Sequence, residues 1–259
     1  MLMISFWFLL IGCSSSEMDT WQPWTERVSL SLSGSVIQHI ERTSVAENAC
    51  VGVYDRGSIF MPAEPEQLTW TEVLSDGSWE TEVIELKTQL GPIVAVEYCD
   101  AINGGEFLPS SMQIPVNLLQ GTTAEKIQGL VIETISTTYA EALETAFLSV
   151  ERPGFYPVEE GIFGRVYDPS HSPIQNAEVF CIDGFCDVFY QTDTATDTNL
   201  FHLESGELLQ QTSSEGRYLM PGAGNNSYGV RSDAWNYDTL TSGSFYGVWH
   251  MQNYYPSSN

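Results

Sequence analysis

Gly161-Ile162-Phe163-Gly164-Arg165-Val166-Tyr167-Asp168-Pro169-Ser170-His171-Ser172-Pro173-Ile174-Gln175-Asn176-Ala177-Glu178-Val179-Phe180-Cys181-Ile182-Asp183 is the stretch whose reading decides the fold. Gly-x-Val opens a strand with alternate side chains facing a core. Ser172-Pro173-Ile174-Gln175-Asn176 is turn chemistry, because Pro presets φ and Asn tolerates the left-handed region. Ala177, Val179 and Cys181 then alternate with period two, the mark of a half-buried strand.

A diverged copy lies upstream, from Ser33 to Asp55. Ser44 to Asp55 aligns without a gap on Ser172 to Asp183, with Ser, Asn, Ala, Val and Asp coinciding. Gly34-Ser35-Val36 matches Gly164-Arg165-Val166. Asp76-Gly77-Ser78-Trp79 matches Glu215-Gly216-Arg217-Tyr218, a tight turn that sends a ring back into the core. Ile93-Val94-Ala95-Val96 matches Ser227-Tyr228-Gly229-Val230. Matched landmarks in one order indicate an internal repeat.

The pattern resembles the carboxypeptidase regulatory-like domain, a transthyretin-like (prealbumin-like) sandwich. The second copy carries that family's Gly164-Arg165-Val166-Tyr167-Asp168, its Pro173-Ile174-Gln175-Asn176-Ala177-Glu178-Val179, its Gly216-Arg217-Tyr218 and its Pro221-Gly222. It departs in Glu215 for Asp and in the insertion Gly224-Asn225-Asn226. The first copy lacks both the turn Pro and the Pro-Gly. The resemblance implies a fold and no particular activity.

Residues Met1 to Ser16 begin with an apolar run too short to span a bilayer as a helix and suited to a signal-peptide core. The run ends Leu10-Ile11-Gly12-Cys13, which resembles a bacterial lipobox, although no Lys or Arg precedes it. That resemblance implies cleavage before Cys13, lipidation of its thiol and, with Ser14 following, delivery to the outer membrane. A Ser-rich tether follows, in which Trp21 and Trp24 read as a clasp packed on the first sandwich in preference to an exposed contact site.

Cys50, Cys99, Cys181 and Cys186 remain, and four cysteines allow three pairings. An exported chain meets oxidising conditions, where disulfides persist. Cys50 and Cys99 are each out of phase with their core-facing neighbours, which favours a Cys50–Cys99 bridge on the outer face. Cys181-Ile182-Asp183-Gly184-Phe185-Cys186 reads as a hairpin closed by its own bridge. Free buried thiols are the other reading.

Acidic residues outnumber basic ones 34 to 9, a net charge of −25. This sign opposes binding to nucleic acid and to anionic headgroups, so lipid on Cys13 must supply any membrane attachment. At 42% hydrophobic residues the chain has enough apolar side chains for real cores.

Thr122-Thr123-Ala124-Glu125 reads as a capping box. Ile127, Leu130, Val131, Ile135, Tyr139, Leu143 and Phe147 follow at helical spacing, which predicts one long helix to about Leu148. Phe245 to Tyr255 reads as a closing strand. The expected fold is mainly β: two small antiparallel transthyretin-like β-sandwiches joined by one long α-helix. The expected organisation is a lipoprotein signal peptide over 1–12, a tether over 13–27, a first sandwich over 28–111, a helical connector over 112–160 and a second sandwich over 161–259.

Chemical signatures are sparse. His39, His171, His202 and His250 fit no zinc spacing. Neither a nucleophile elbow nor a phosphate or dinucleotide fingerprint occurs. Asp183, Asp187, Asp193, Asp197 and Asn199 supply oxygens of the kind Ca²⁺ uses but at no EF-hand spacing, and a solvated acidic loop explains them better. Trp79 and Tyr218 occupy the turn-aromatic core slot of each repeat. The sequence therefore predicts no enzyme, no cofactor and no metal. It predicts a lipid-anchored envelope module that binds or spaces an envelope protein or a glycan. The competing reading is a surface hydrolase, or its accessory subunit, using acidic loop residues.

Overall fold

Short runs of Val, Ile, Tyr and Trp between Gly, Asn and Asp turns set the local structure, because β-branched and aromatic side chains suit a pleated, half-buried surface. The computed structural model describes residues 28–45, 47–55, 66–86, 91–100, 102–114, 126–150, 160–184, 186–193, 200–201, 207–223, 226–242 and 247–257. The chain is mainly β. Its first half contains β1 (Val28–Gln38), β2 (Ala49–Tyr54), β3 (Gln67–Glu72), β4 (Ser78–Glu80), β5 (Ile84–Leu86), β6 (Ile93–Tyr98), β7 (Phe107–Leu108), β8 (Ser110–Gln113) and β9 (Lys126–Ser136). A helix, α1 (Thr137–Ser149), leads to β10 (Gly161–Arg165), β11 (Glu178–Cys181), β12 (Phe189–Tyr190), β13 (Arg217–Pro221), β14 (Asn226–Arg231), β15 (Leu240–Ser242) and β16 (Trp249–Met251).

Three sheets result among the described residues. β4, β1, β9 and β7 lie side by side, with β5 also on β1, as a five-stranded sheet. β11, β14 and β15 form a three-stranded one. The third has eight strands in the order β12-β13-β10-β16-β8-β6-β2-β3. It runs through both halves because β16 pairs in parallel with β10 on one side and with β8 on the other. Two separate antiparallel sandwiches were expected. The halves instead share one mixed sheet, and β1 with β9 forms a further parallel pair.

The long connecting helix is also corrected. Lys126 to Ser136 is a strand, and α1 spans only 13 residues. Ile127, Val131, Ile132, Thr134 and Ile135 are β-branched, which disfavours a helix. Leu130 and Ile132 are buried while Val131 between them is exposed, a period of two and not of 3.6. The helix starts where Ser136, in extended backbone, accepts a hydrogen bond from Tyr139 N at 3.1 Å. The expected capping box at Thr122 lies outside the described residues.

Three apolar clusters follow from this arrangement. The first fills the space between β1, β4, β5 and β9 and the inner face of β2, β6 and β8. Tyr139, Leu143 and Phe147 of α1 build the second with Phe163, Phe189, Leu219 and Trp249. The third lies on the opposite face of β10 and β13, where Ile162, Tyr218 and Met220 meet Val179 and Tyr228. Met112 of β8 packs against both the first and second clusters, so α1 and the five-stranded sheet lie on one side of the shared sheet.

The repeat landmarks occupy matching positions in the hydrogen-bond pattern. Gly34 pairs with Trp79 and Gly164 with Tyr218. Val36 N donates to Gly77 O at 2.9 Å, and Val166 N to Gly216 O at 3.0 Å. Val73 N bonds Ala49 O and Thr212 N bonds Ala177 O, both at 2.9 Å. Val51 faces Val96 as Val179 faces Val230. Asn48 and Asn176 both adopt positive φ, at 51° and 64°.

Candidate functional site

The disulfides are Cys50–Cys99 and Cys181–Cys186. Cys50 does face away from Val51 and Val53, but it is fully buried and not on a wet surface. Trp79 and Tyr218 are core residues. Cys13, Trp21, Trp24, Asp197, Asn199 and His202 lie outside the described residues. Asp193 accepts from Ser214 Oγ at 2.7 Å and from Glu215 N at 3.2 Å, so it braces the Glu215-Gly216 turn. Asp183 lies within the short loop closed by the Cys181–Cys186 bridge, and Asp187 follows it directly. Among the described residues no group of three or more His, Cys, Asp or Glu gathers as metal ligands would.

What the structure does gather was not visible in any motif. Glu133 sits on β9 with its side chain inside the protein, at 5% exposure. His39, just past the end of β1, is completely buried and donates from Nδ1 to Glu133 Oε2 at 2.5 Å. Arg165, on β10, donates from Nη1 to Glu133 Oε1 at 2.5 Å and from Nη2 to the His39 carbonyl at 3.1 Å. Arg42, half exposed, pairs with the same Oε1. Arg217 stands on β13 opposite Arg165 and pairs with Glu215 at 3.2 Å.

Local structure explains the convergence. Parallel pairing of β9 with β1 puts Thr134 O where His39 N reaches it at 2.7 Å, which places the imidazole next to Glu133. The His39 ring then meets Phe163 edge-on at 4.8 Å. Phe163 and Arg165 both point to the α1 side of β10, since residues two apart share a face.

Burial pushes the Glu133 carboxyl up, but the hydrogen bond from His39 and the neighbouring positive charges of Arg165 and Arg42 overbalance it and hold the group at about 2. Burial dominates at His39 and lowers it below the ordinary histidine range, so the neutral ring is favoured. Glu133 therefore stays an anion matched by guanidinium groups. A carboxylate so committed is a poor general acid or base, because either role needs a pKa near the working pH.

Beside this cluster a cleft of about 670 Å³ opens between the halves. Arg42, Gly129, Val131 and Glu133 line it from the first half, and Tyr167, Leu240, Asn253 and Tyr255 from the second. The rings of Tyr167 and Tyr255 stack at 5.0 Å and 5°. Among the described residues one carboxylate, Glu133, lines this cleft.

No family model matches the chain, and no curated protein matches it. Among solved structures it is similar to the Bacillus anthracis TIE protein, at 11% identity and a TM-score of 0.25, over 89% of this chain and 34% of that one. The chain thus spans about a third of the TIE protein's length. It is similar to the shaft pilin SpaA of Lactobacillus rhamnosus GG, at 8% identity and a TM-score of 0.27, over 90% of this chain and 100% of that one. A streptococcal ancillary pilin aligns at 8% identity and a TM-score of 0.24, over 89% of this chain and 63% of its own. Superpositions this loose carry no inference about the present chain.

Proposed function

We propose that this protein is a non-catalytic module of the bacterial envelope, anchored by lipid on Cys13, that spaces or presents a binding surface for an envelope protein or a glycan. The observation that carries the reading is the construction of its middle. A backbone ladder through β10, β16 and β8 crosses from one half to the other, and the buried acid beside it is consumed by Arg165, His39 and Arg42. A joint of that kind holds two halves at a set angle; it does not open and close over a substrate.

Two features support the address. The disulfides suit an oxidising compartment. The charge of −25 keeps the chain soluble and repels anionic surfaces, which leaves the lipid as the anchor. Among the described residues no helix is long and apolar enough to cross a membrane.

The test is Cys13→Ser in the native host, followed by membrane fractionation, intact mass and crosslinking of the wild type in its own envelope. The expected result is loss of membrane attachment and of the lipid mass, with one envelope component crosslinked. Unchanged fractionation and mass in the variant would refute the anchor. Turnover of an envelope polymer by the purified chain would refute the non-catalytic role.

A further inference from the structure

We propose that the trough beneath Trp235 is a binding site for a neutral saccharide. It names a ligand class for the binding role proposed above, and it does not depend on the lipid anchor. The trough encloses about 790 Å³, within the usual span of small-ligand clefts.

Residues 232–239 connect β14 to β15, and Trp235 stands on this connection with 43% of its surface exposed. An indole left that far in water on a loose loop would be unremarkable surface. This loop is braced. Ser257 N donates to Asn236 O at 2.9 Å, and Ser257 Oγ to Asp238 at 2.8 Å. Tyr237 bridges to Pro256 and donates from its hydroxyl to Tyr167 O at 2.9 Å. Ala234 N bonds Ser232 Oγ at 3.2 Å just before the Trp. The backbone that carries the exposed ring is therefore set before any ligand arrives, which reduces the ordering cost of binding.

The opposite wall is equally prepared. The Arg231 guanidinium lies 4.2 Å above the Phe180 ring and reaches both Glu178 carboxylate oxygens at 3.3 Å, yet its side chain remains 64% exposed. Asn176, Gln211 and Asn236 complete the lining with planar amides. An aromatic face accepts the C–H side of a sugar ring, while amides donate to and accept from adjacent hydroxyls and carboxylates accept from them. Glu178 and Asp233 against Arg231 leave the lining one negative charge in excess, inside a chain of −25, so an anionic sugar is disfavoured.

The experiment uses the purified, disulfide-bonded full chain in detergent on an array of neutral oligosaccharides (β-glucans, chitooligosaccharides, mannans) with hyaluronate as the charged control. Hits are titrated by tryptophan fluorescence. The expected result is retention of at least one neutral class and none of hyaluronate. W235A should weaken binding at least tenfold with its melting temperature unchanged, since the ring is exposed. W70A, which removes an exposed Trp from β3, should bind as wild type. A blank array, retention of hyaluronate alone, or undiminished binding by W235A would each overturn the site. A blank array with Cys13-dependent anchoring intact would sink this site and leave the module reading standing.

Discussion

Arg165 of the second half holds Glu133 of the first at 2.5 Å and, with its other nitrogen, the carbonyl of His39 at 3.1 Å. One guanidinium thus ties together β10, β9 and the turn after β1. Its charge is matched in a place with little water. Such a pair is costly to break from one side only, because the partner is left buried and unpaired.

Glu133→Ala should therefore destabilise the whole protein by about 3–5 kcal/mol, the range for stripping one member from a buried ion pair. For a chain of this size that is a fall in melting temperature of roughly 10 °C. Glu133→Gln keeps the shape and loses the charge, and should fall between. Thermal unfolding by circular dichroism reads both. A change under 1 kcal/mol in Glu133→Ala would mean that the cluster contributes little.

The same cluster sets an acid profile. Glu133 titrates lower in the folded chain than unfolded, at about 2 against 4.5. Its contribution is fully present above pH 4.5 and disappears as pH falls toward 2, a loss on the order of 3 kcal/mol. His39 is also lowered by folding, so the unfolded chain binds its proton first and stability declines below about pH 6.5. Urea midpoints from pH 8 to pH 3 should fall in both windows. Glu133→Gln should lack the lower fall, and a profile identical to wild type would contradict the assignment.

Gly34 and Gly164 are a matched pair with one reason to be glycine. A Cβ on Gly34 would sit 1.9 Å from Leu130 O, and one on Gly164 would sit 1.9 Å from Gln252 O. Both obstacles are backbone, so they cannot swing aside. Each Gly→Ala change should cost more than the 1–3 kcal/mol of ordinary overpacking. Gly104→Ala meets nothing within 4 Å and carries only its positive φ of 61°, worth about 1–2 kcal/mol. Soluble yield and urea unfolding should rank Gly104→Ala well above the other two.

The disulfides should differ in weight. Cys50 and Cys99 are 49 residues apart, Cys181 and Cys186 only 5. Loop-closure entropy then predicts about 4 kcal/mol for the first bridge and about 2 for the second. Paired Cys→Ser variants measured by denaturant unfolding test the order. A larger loss from the Cys181–Cys186 pair would show that native packing, and not loop size, dominates.

Much of the β architecture could be read from the repeat. Asn48 and Asn176, Gly77 and Gly216, and Trp79 and Tyr218 each announced a turn or a core slot, because each depends on its own few neighbours. The residues of β9 suggest a helix although they form a strand. Its counterpart, β16, lies within the Phe245 to Tyr255 run that reads as a closing strand, and a repeat requires the first copy to close in the same way. The apolar residues from Ile127 to Ile135 nevertheless mimic helical spacing, since from Ile132 onward the strand is buried on both faces and alternation vanishes.

The sequence by itself determined the strand-forming runs, the turn glycines and asparagines, the aromatic core slots and the cysteine phases. All of these act over a few residues. Only the tertiary structure decided that β16 would fuse the two halves into one sheet and that Glu133 would be a buried anion. Glu133 meets His39 across 94 residues and Arg165 across 32. A carboxylate among 34 acidic residues carries no mark of burial. It acquires one only when strands distant in the chain bring guanidinium groups to it.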